Sequence, residues 1–415
     1  MSKRILLISQ NFYPEIGSAA NRIKNVYKLL NKQGYSVKVI TTVPAYPQKS
    51  IYEDEKFWDD SEVKSKDVHR VSVKTRKYSR NIFHRLMYYL EIALKMMLYI
   101  FRDKNKYDLI FVTSPAIFVG FVGLIAKYRY RTRMFLDVRD LWPESLKGVG
   151  VLDKSIIISI FSYLEKLLYN KSDEIIVNSL GFVEHIRKKT KDKSKNIIFI
   201  PNGANLEELY SDIQKDNINV IYAGNIGLAQ DFNIIKLLAE RLSELNIRLD
   251  IIGYGMKVNK LANFVKNNKL KNVSFIKPIT RKECLSIISN YYIGIVTLCD
   301  KEVFKTVLPG KVIDYMTCGV PIVASVSGIS KQVIEEQKTG FVTDSQNIDE
   351  MIEGIIRLIN EKEMYNQMSR NATRYIEKNF IWEKNINKLI ELIEKEPPKR
   401  KYIRGFTNNK QMGKV

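Results

Sequence analysis

Along this chain, short apolar runs alternate with longer stretches in which apolar residues return every third or fourth position. A short unbroken apolar run reads as a strand buried on both faces, and the three-to-four spacing reads as a helix with one buried stripe. Runs of the first kind fall at Arg4 to Ser9, Val37 to Thr41, VHRVSV, Asp108 to Thr113, Arg133 to Leu136, EIIVNS and IIFIPNG. Helical spacing fills most of the gaps. It runs to about Gln33, where Gly34 closes it, then over Ile82 to Phe101, Ile117 to Tyr128, Lys154 to Asn170 and Val183 to Lys189. Strand, helix and strand repeated in this way build a parallel sheet. Thr42 to Asp67 shows no periodicity and reads as an extended surface loop.

The polar run Ala204 to Asn219 fits a linker, after which the alternation resumes. NVIYAGNIG, LDIIG, VSFI, YIGIVT, PIVAS and FVT read as strands with helices between them. Helices follow at Ile348 to Asn360, Lys362 to Asn379 and Trp382 to Lys395, the last stopped by Pro397 and Pro398. At 415 residues the chain is too long for one ordinary core. The pattern predicts an α/β protein with a first domain at 1–203, a second at 204–380, a final helix at 381–396 and a tail at 397–415.

Open parallel sheets place ligands in the loops at the carboxyl ends of their strands, and three such loops carry candidate chemistry. In VFKTVLPGKVIDYMTCGVPIVAS, Pro309 and Gly310 open a short helix from about Lys311 to Thr317, which Gly319 ends. A glycine-opened helix start attracts anions, and Lys311 adds a full charge there. Asp314 shares the face of Lys311 and can accept hydrogen bonds from sugar hydroxyls, although the same spacing also describes a plain surface ion pair. In NFYPEIGSAANR, Gly17, Ser18 and Ala19 let backbone approach a ligand just before a helix. In DVRDLWPESLKGVG, Asp140 and Glu144 can orient or deprotonate a hydroxyl and Trp142 can stack on a sugar ring. Asp137 and Arg139 read equally well as structural partners.

The central segment resembles the donor-binding segment of glycosyltransferase family 4, in which two Glu residues precede a small-residue turn and a Pro-Val/Ile-Val-Ala strand. Asp314 falls at the second Glu, which in that family contacts the nucleotide ribose, and Cys318, Gly319, Pro321 and Ile322 fit the turn and strand. Thr306 falls at the first, which contacts the donor sugar. The first loop is similar to the family's Pro-Glu-x-Gly-Gly loop and following Arg, which lie against the donor phosphates; Gly17, Ser18 and Arg22 take those places. Where the family carries Gly-Arg and a later Lys on the diphosphate, this chain has Asn225 and Gln230, within GNIGLAQ. That turn with Gly227, the GYG turn with Gly253, the VFKTVLPGK run with Leu308, and DVRDLWPES all resemble the branch that builds bacterial surface polysaccharides, typified by transferases of N-acetyl-fucosamine. The resemblance implies the GT-B fold, two facing Rossmann-like domains around a deep cleft, and a final helix crossing back to the first domain. It also implies retaining transfer from a UDP-linked sugar donor to a lipid-linked saccharide acceptor. With two family cations replaced, Lys311 becomes the principal countercharge, helped by Arg22 or Arg139 from across the cleft.

Charge adds a possible surface to this picture. Lys and Arg total 67 against 45 Asp and Glu, a net charge of +22, which points to anionic partners. The cations are spread along the chain and no recognised motif interleaves them with aromatics, so nucleic acid is not the expected partner. The Ile82 to Phe101 helix has basic residues at both ends, Arg76, Lys77 and Arg80 before and Arg102, Lys104 and Lys106 after. It suits an anionic lipid interface and also suits a core helix with snorkelling lysines. The tail, with six Lys or Arg and no acid, suits the same interface. The first apolar run is too short for a signal peptide, and the three cysteines have no metal-like spacing. The expected setting is therefore cytoplasmic, on the inner face of the cell membrane. No metal is expected, since no Asp-x-Asp or His-rich cluster is present to hold one. The rival activities are a sugar-nucleotide epimerase of the same fold and a basic nucleic-acid-binding protein.

Overall fold

In the computed structural model, which describes residues 2–74, 82–114, 117–150, 155–210, 217–343 and 347–395, the strands gather into two sheets. The first contains β1 (Arg4–Ile8), β2 (Ser36–Thr42), β3 (Val68–Val71), β4 (Leu109–Ser114), β5 (Arg133–Val138), β6 (Glu174–Val177) and β7 (Ile197–Phe199). Its order is β3-β2-β1-β4-β5-β6-β7, with every pair parallel. Its helices are α1 (Ser18–Lys32), α2 (Ile82–Arg102), α3 (Ile117–Tyr130), α4 (Glu144–Gly148), α5 (Ser155–Lys171) and α6 (Phe182–Lys189). The second sheet is formed by β8 (Asn219–Asn225), β9 (Arg248–Tyr254), β10 (Val273–Ile276), β11 (Ile293–Thr297), β12 (Ile322–Ser325) and β13 (Gly340–Thr343), in the order β10-β9-β8-β11-β12-β13 and again parallel. Its helices are α7 (Phe232–Glu244), α8 (Val258–Asn267), α9 (Arg281–Ile288), α10 (Glu302–Lys305), α11 (Gly310–Thr317), α12 (Ile329–Glu336), α13 (Ile348–Asn360) and α14 (Lys362–Asn379). In both sheets the order reverses beside the first strand, and loops at such a switch point diverge to leave a crevice.

The apolar runs became central strands because both of their faces are covered. Ile5 and Leu7 face one core cluster, and Leu6 and Ile8 face another. α3 is apolar all round because it lies in the middle of its layer, against β4, α2 and α5. α2 is half-buried: Ile92, Ala93, Met96 and Ile100 enter the core, while Met87, Leu90, Leu94, Leu98 and Phe101 form an exposed row. α11 ends in a Schellman motif, with Gly319 at φ 58°, its N–H bonded to Met316 O and that of Val320 to Tyr315 O. Between β2 and β3 the expected extended loop is instead three short 3-10 turns that bury Tyr52 and Phe57. Aromatic anchors without helical or strand spacing gave no periodic signal there.

Two seams join the domains. At one, Ala204 pairs with Ile381, and Gly203 passes so close that a Cβ would lie 2.2 Å from Phe380 O. From there α15 (Trp382–Glu394) packs Trp382, Ile386, Leu389 and Ile393 against Ile5, Leu7 and Val26 of the first domain. Burying each such side chain contributes about 1.5–3 kcal/mol, so this helix straps the domains together. At the other seam, Ser179 Oγ donates to Thr306 O at 2.5 Å, and α4 packs on α10 through Gly148 and Val303. The Arg76 to Arg80 flank of α2 and the tail at 397–415 lie outside the described residues.

Candidate active site

Between the seams lies a cleft of about 900 Å³, lined by Gly17 and Ser18 from the first domain and by Asn225, Gln230, Pro309, Gly310, Lys311 and Asp314 from the second. Two helices begin here. α1 starts after Gly17, at φ 107°, with no side-chain cap and no acid in its first turn; α11 starts after Pro309 in the same condition. A Cβ on Gly310 would lie 3.2 Å from Ser18 Cβ, so the two starts converge. Uncapped N–H groups and the positive ends of two dipoles therefore lie side by side in the cleft. Lys311 sits beside them. Its Nζ is buried, has no hydrogen-bond partner among the described residues, and lies 3.7 Å from the centroid of the Tyr222 ring. Burial pulls the ammonium down to about 7, with nearby Asp314 opposing the shift. A cation held against a ring without a carboxylate is set for an anion that arrives from outside.

Lys311 and Asp314 do not pair, although their spacing allows it. Asp314 Oδ1 accepts from Arg281 Nη1 at 2.8 Å, while Arg281 Nε and Nη2 reach Glu208 Oε1 and Oε2 at 2.7 and 3.2 Å. Asp314 stays raised by burial despite Arg281. For Glu208, burial alone would raise the carboxyl, but the guanidinium overrides it and holds it below its usual range. Neither Arg281 nor Glu208 stood out in the sequence. The available signals were two capping boxes, Thr280 with Glu283 and Asn205 with Glu208, which set these residues at helix starts.

Several other expected site residues do structural work. Arg22 is 1% exposed and lines the cleft: Nε and Nη2 bind Asp137 and Nη1 reaches the carbonyls of Ile200 and Pro201, so most of its donors hold the first domain together. Gln230 lines the cleft but uses Oε1 to accept the Gly227 N–H at 2.8 Å, closing its own turn. Gly253 lies inside β9 against Ile226 and Val258, leaving Tyr254 to face the cleft. Leu308 is buried in the second core. Thr306 sits at the domain seam with its hydroxyl bonded to Val303 O, so its side chain does not reach the cleft lining.

The DLWPES loop also folds inward. Trp142 packs edge-on to Phe161 and Tyr89 at 4.8 and 6.3 Å between centroids, which removes it as a sugar platform. Glu144 Oε1 takes Lys189 Nζ at 2.6 Å, and the same ammonium binds Glu165, which also accepts from Tyr169 and His185. Glu144, Glu165 and His185 bring their ligand atoms within 4.8 Å of one another, but Lys189 already bridges the two carboxylates. Asp140 is raised by burial against hydrogen bonds from Ser145 and the Leu141 backbone. Arg139 is lowered by burial to about 10, and its Nε has no partner among the described residues. None of these four acceptor-loop residues lines the cleft.

Comparison with known proteins completes this geometry. Residues 17–203 match the description "Glycosyl transferase 4-like domain" and residues 206–375 match "Glycosyl transferases group 1". The chain belongs to the family 4 glycosyltransferases. An uncharacterized glycosyltransferase of Haemophilus influenzae is 30% identical over 207 residues, which is 48% of this chain and little more than half, 55%, of that relative. The putative colanic acid biosynthesis glycosyl transferase WcaI of Escherichia coli is 23% identical over 335 residues, covering 76% of this chain and 81% of that one. Among solved structures, Anabaena HepE in complex with UDP and glucose superposes with a TM-score of 0.68 at 15% identity, over 94% of this chain and 99% of that one. At that identity the likeness is one of fold: this family 4 chain has the GT-B architecture.

Proposed function

We propose that this glycosyltransferase moves a sugar, with retention of anomeric configuration, from a UDP-linked donor to a saccharide carried on a lipid diphosphate in the assembly of a surface polysaccharide. The observation that carries this reading is the convergence of two uncapped helix starts on the unpaired Lys311. A diphosphate leaving group gains charge as the glycosidic bond breaks, and fixed dipoles and a cation in a water-poor cleft stabilise that charge. Glu144 is held by Lys189 and Asp140 lies outside the cleft lining, so neither expected base stands in the cleft; the resemblance to retaining enzymes of this fold assigns the proton of the attacking hydroxyl to the departing phosphate oxygen. The purified protein, incubated with UDP-sugars, should release UDP only when a lipid-linked acceptor is present. A changed sugar nucleotide formed without lipid would instead make it an epimerase.

Asp314 lines the cleft with Oδ2 outside the Arg281 contact, in position to accept from ribose hydroxyls. Asp314→Ala should weaken UDP binding by about 1.5–3 kcal/mol, the range for hydrogen bonds to a charged group. Unchanged affinity by calorimetry would remove Asp314 from the nucleotide site.

The acceptor's lipid calls for a membrane-facing surface. No helix among the described residues is long and apolar enough to cross a membrane. α2 and α5 both pack on α3, and they expose Leu94, Leu98 and Phe101 on one and Ile156, Ile160 and Tyr163 on the other. Exposed Arg102 ends α2, and exposed Lys104 and Lys106 follow it. An apolar face rimmed by cations lies on anionic lipid. The protein should pellet with vesicles containing anionic lipid and leave them at high salt, and Leu94→Glu with Leu98→Glu should reduce pelleting several-fold. Equal binding to neutral vesicles would contradict the electrostatic part.

A further inference from the structure

The segment between β2 and β3 carries Tyr46 to the second domain, against Asn225 and Tyr254, two residues that line the cleft. Tyr46 belongs to the first domain, yet its hydroxyl lies 2.9 Å from Asn225 Oδ1 at the end of β8 in the second. Its ring stands edge-on to Tyr254, 5.8 Å between centroids. The residue is fixed from behind. The buried Glu15 carboxylate accepts the backbone N–H groups of Ala45 and Tyr46 at 2.8 and 3.1 Å and the Asn11 side chain at 2.7 Å, while Tyr52 donates to the Tyr46 carbonyl. Burial pushes the Tyr46 phenol up to about 12, which keeps it a neutral donor near neutral pH.

Asn225 stands next to the anion site. It follows Gly224, where a Cβ would lie 3.7 Å from Lys311 Nζ, and its side chain fits only because Gly255 has no Cβ, which would come within 2.0 Å of Oδ1. With Oδ1 accepting from Tyr46, the other end of the amide is its NH2, a donor, on the side of the Gly227 turn, where a Cβ would lie 2.8 Å from Nδ2. Tyr254, on which Tyr46 rests, lies close to Gly17 at the start of α1: a Cβ there would be 3.3 Å from its hydroxyl. One side chain of the first domain thus touches two residues of the second that border the converging helix starts.

We propose that Tyr46 is a positioning residue of the donor site, holding the Asn225 carboxamide so that its NH2 end faces the diphosphate. The assignment rests on the donor-site reading above and adds a neutral hydrogen-bond donor to the cation of Lys311. Tyr46→Phe keeps the ring against Tyr254 and removes only the hydroxyl. It should weaken UDP binding about five- to tenfold, the loss of one hydrogen bond, and weaken uridine binding less than about twofold. In the Asn225→Ala protein, Tyr46→Phe should change UDP affinity no further, because the tyrosine acts through that amide. Equal losses for UDP and uridine would indicate a merely structural role and overturn the proposal. So would UDP affinity within twofold of wild type, or an undiminished loss in the Asn225→Ala background. Failure of the wild-type protein to bind UDP would overturn the donor reading and this proposal with it.

Discussion

Lys311→Ala is expected to lower kcat by about 100-fold or more, with a smaller change in KM for the donor. The ammonium lies buried on the Tyr222 ring with no hydrogen-bond partner among the described residues, so its charge is costly until a diphosphate arrives and most useful as the leaving group charges. Glutamine keeps a donor without the charge and should rescue little. The same geometry predicts a pH dependence. Burial holds Lys311 at about 7 in the free protein, so near neutrality it is only partly charged. A bound diphosphate favours the charged form and raises its pKa, so binding takes up a proton and affinity falls as pH rises through about 7 and above. The terminal phosphate of UDP titrates in a similar range, so the decisive quantity is the difference between wild type and Lys311→Ala across about pH 6 to 9. Identical pH profiles, or turnover within a few-fold of wild type, would place the neutralising charge elsewhere. Arg22, which lines the cleft, would then be the next residue to replace.

Arg281→Met should cost roughly 2–4 kcal/mol of stability, somewhat below the value for a fully buried network because the three side chains keep 16–29% of their exposure. The loss comes mostly from what stays behind, Glu208 and Asp314, two carboxylates facing each other without a cation. Melting of the second domain should fall by roughly 5 to 15 °C. Adding Glu208→Gln should recover part of that, which simple loss of packing would not. The acid limb supplies a second readout. Glu208 is held low by Arg281 against its burial, so this contribution is present above the unfolded carboxyl value and is lost as pH falls through the folded one. In Arg281→Met that share of the acid destabilisation should vanish. A melting temperature within about 1 °C of wild type would show that the guanidinium does not hold the pair.

These residues mark where reading along the chain stops. Gly310 and Lys311 are legible as a helix start, and Gly17 with Ser18 as another, because capping and turn chemistry act over a few neighbouring residues. Their meeting side by side is not, since it depends on the packing of two sheets. Lys311 and Asp314 show the same limit. Their spacing allows an ion pair, but the lysine runs to Tyr222 and the aspartate to Arg281, because partners from other elements reach each of them. Trp142 looked like a ligand contact because its ring suits sugars, but Phe161 packs against it; Arg22 lines the cleft and also holds Asp137, a partner that the sequence did not announce.

What the sequence determined by itself was the alternation of strand and helix that builds two parallel sheets, and the family. Strands covered on both faces must be apolar throughout, and helices between them must carry one apolar stripe, whatever the distant contacts. Tertiary structure alone decided which charges pair, which stay unpaired, and that Tyr46 in a patternless segment reaches Asn225 in the second domain. Such choices are made between side chains far apart in the sequence, where burial sets the cost of every unmet partner, and local spacing carries no record of them.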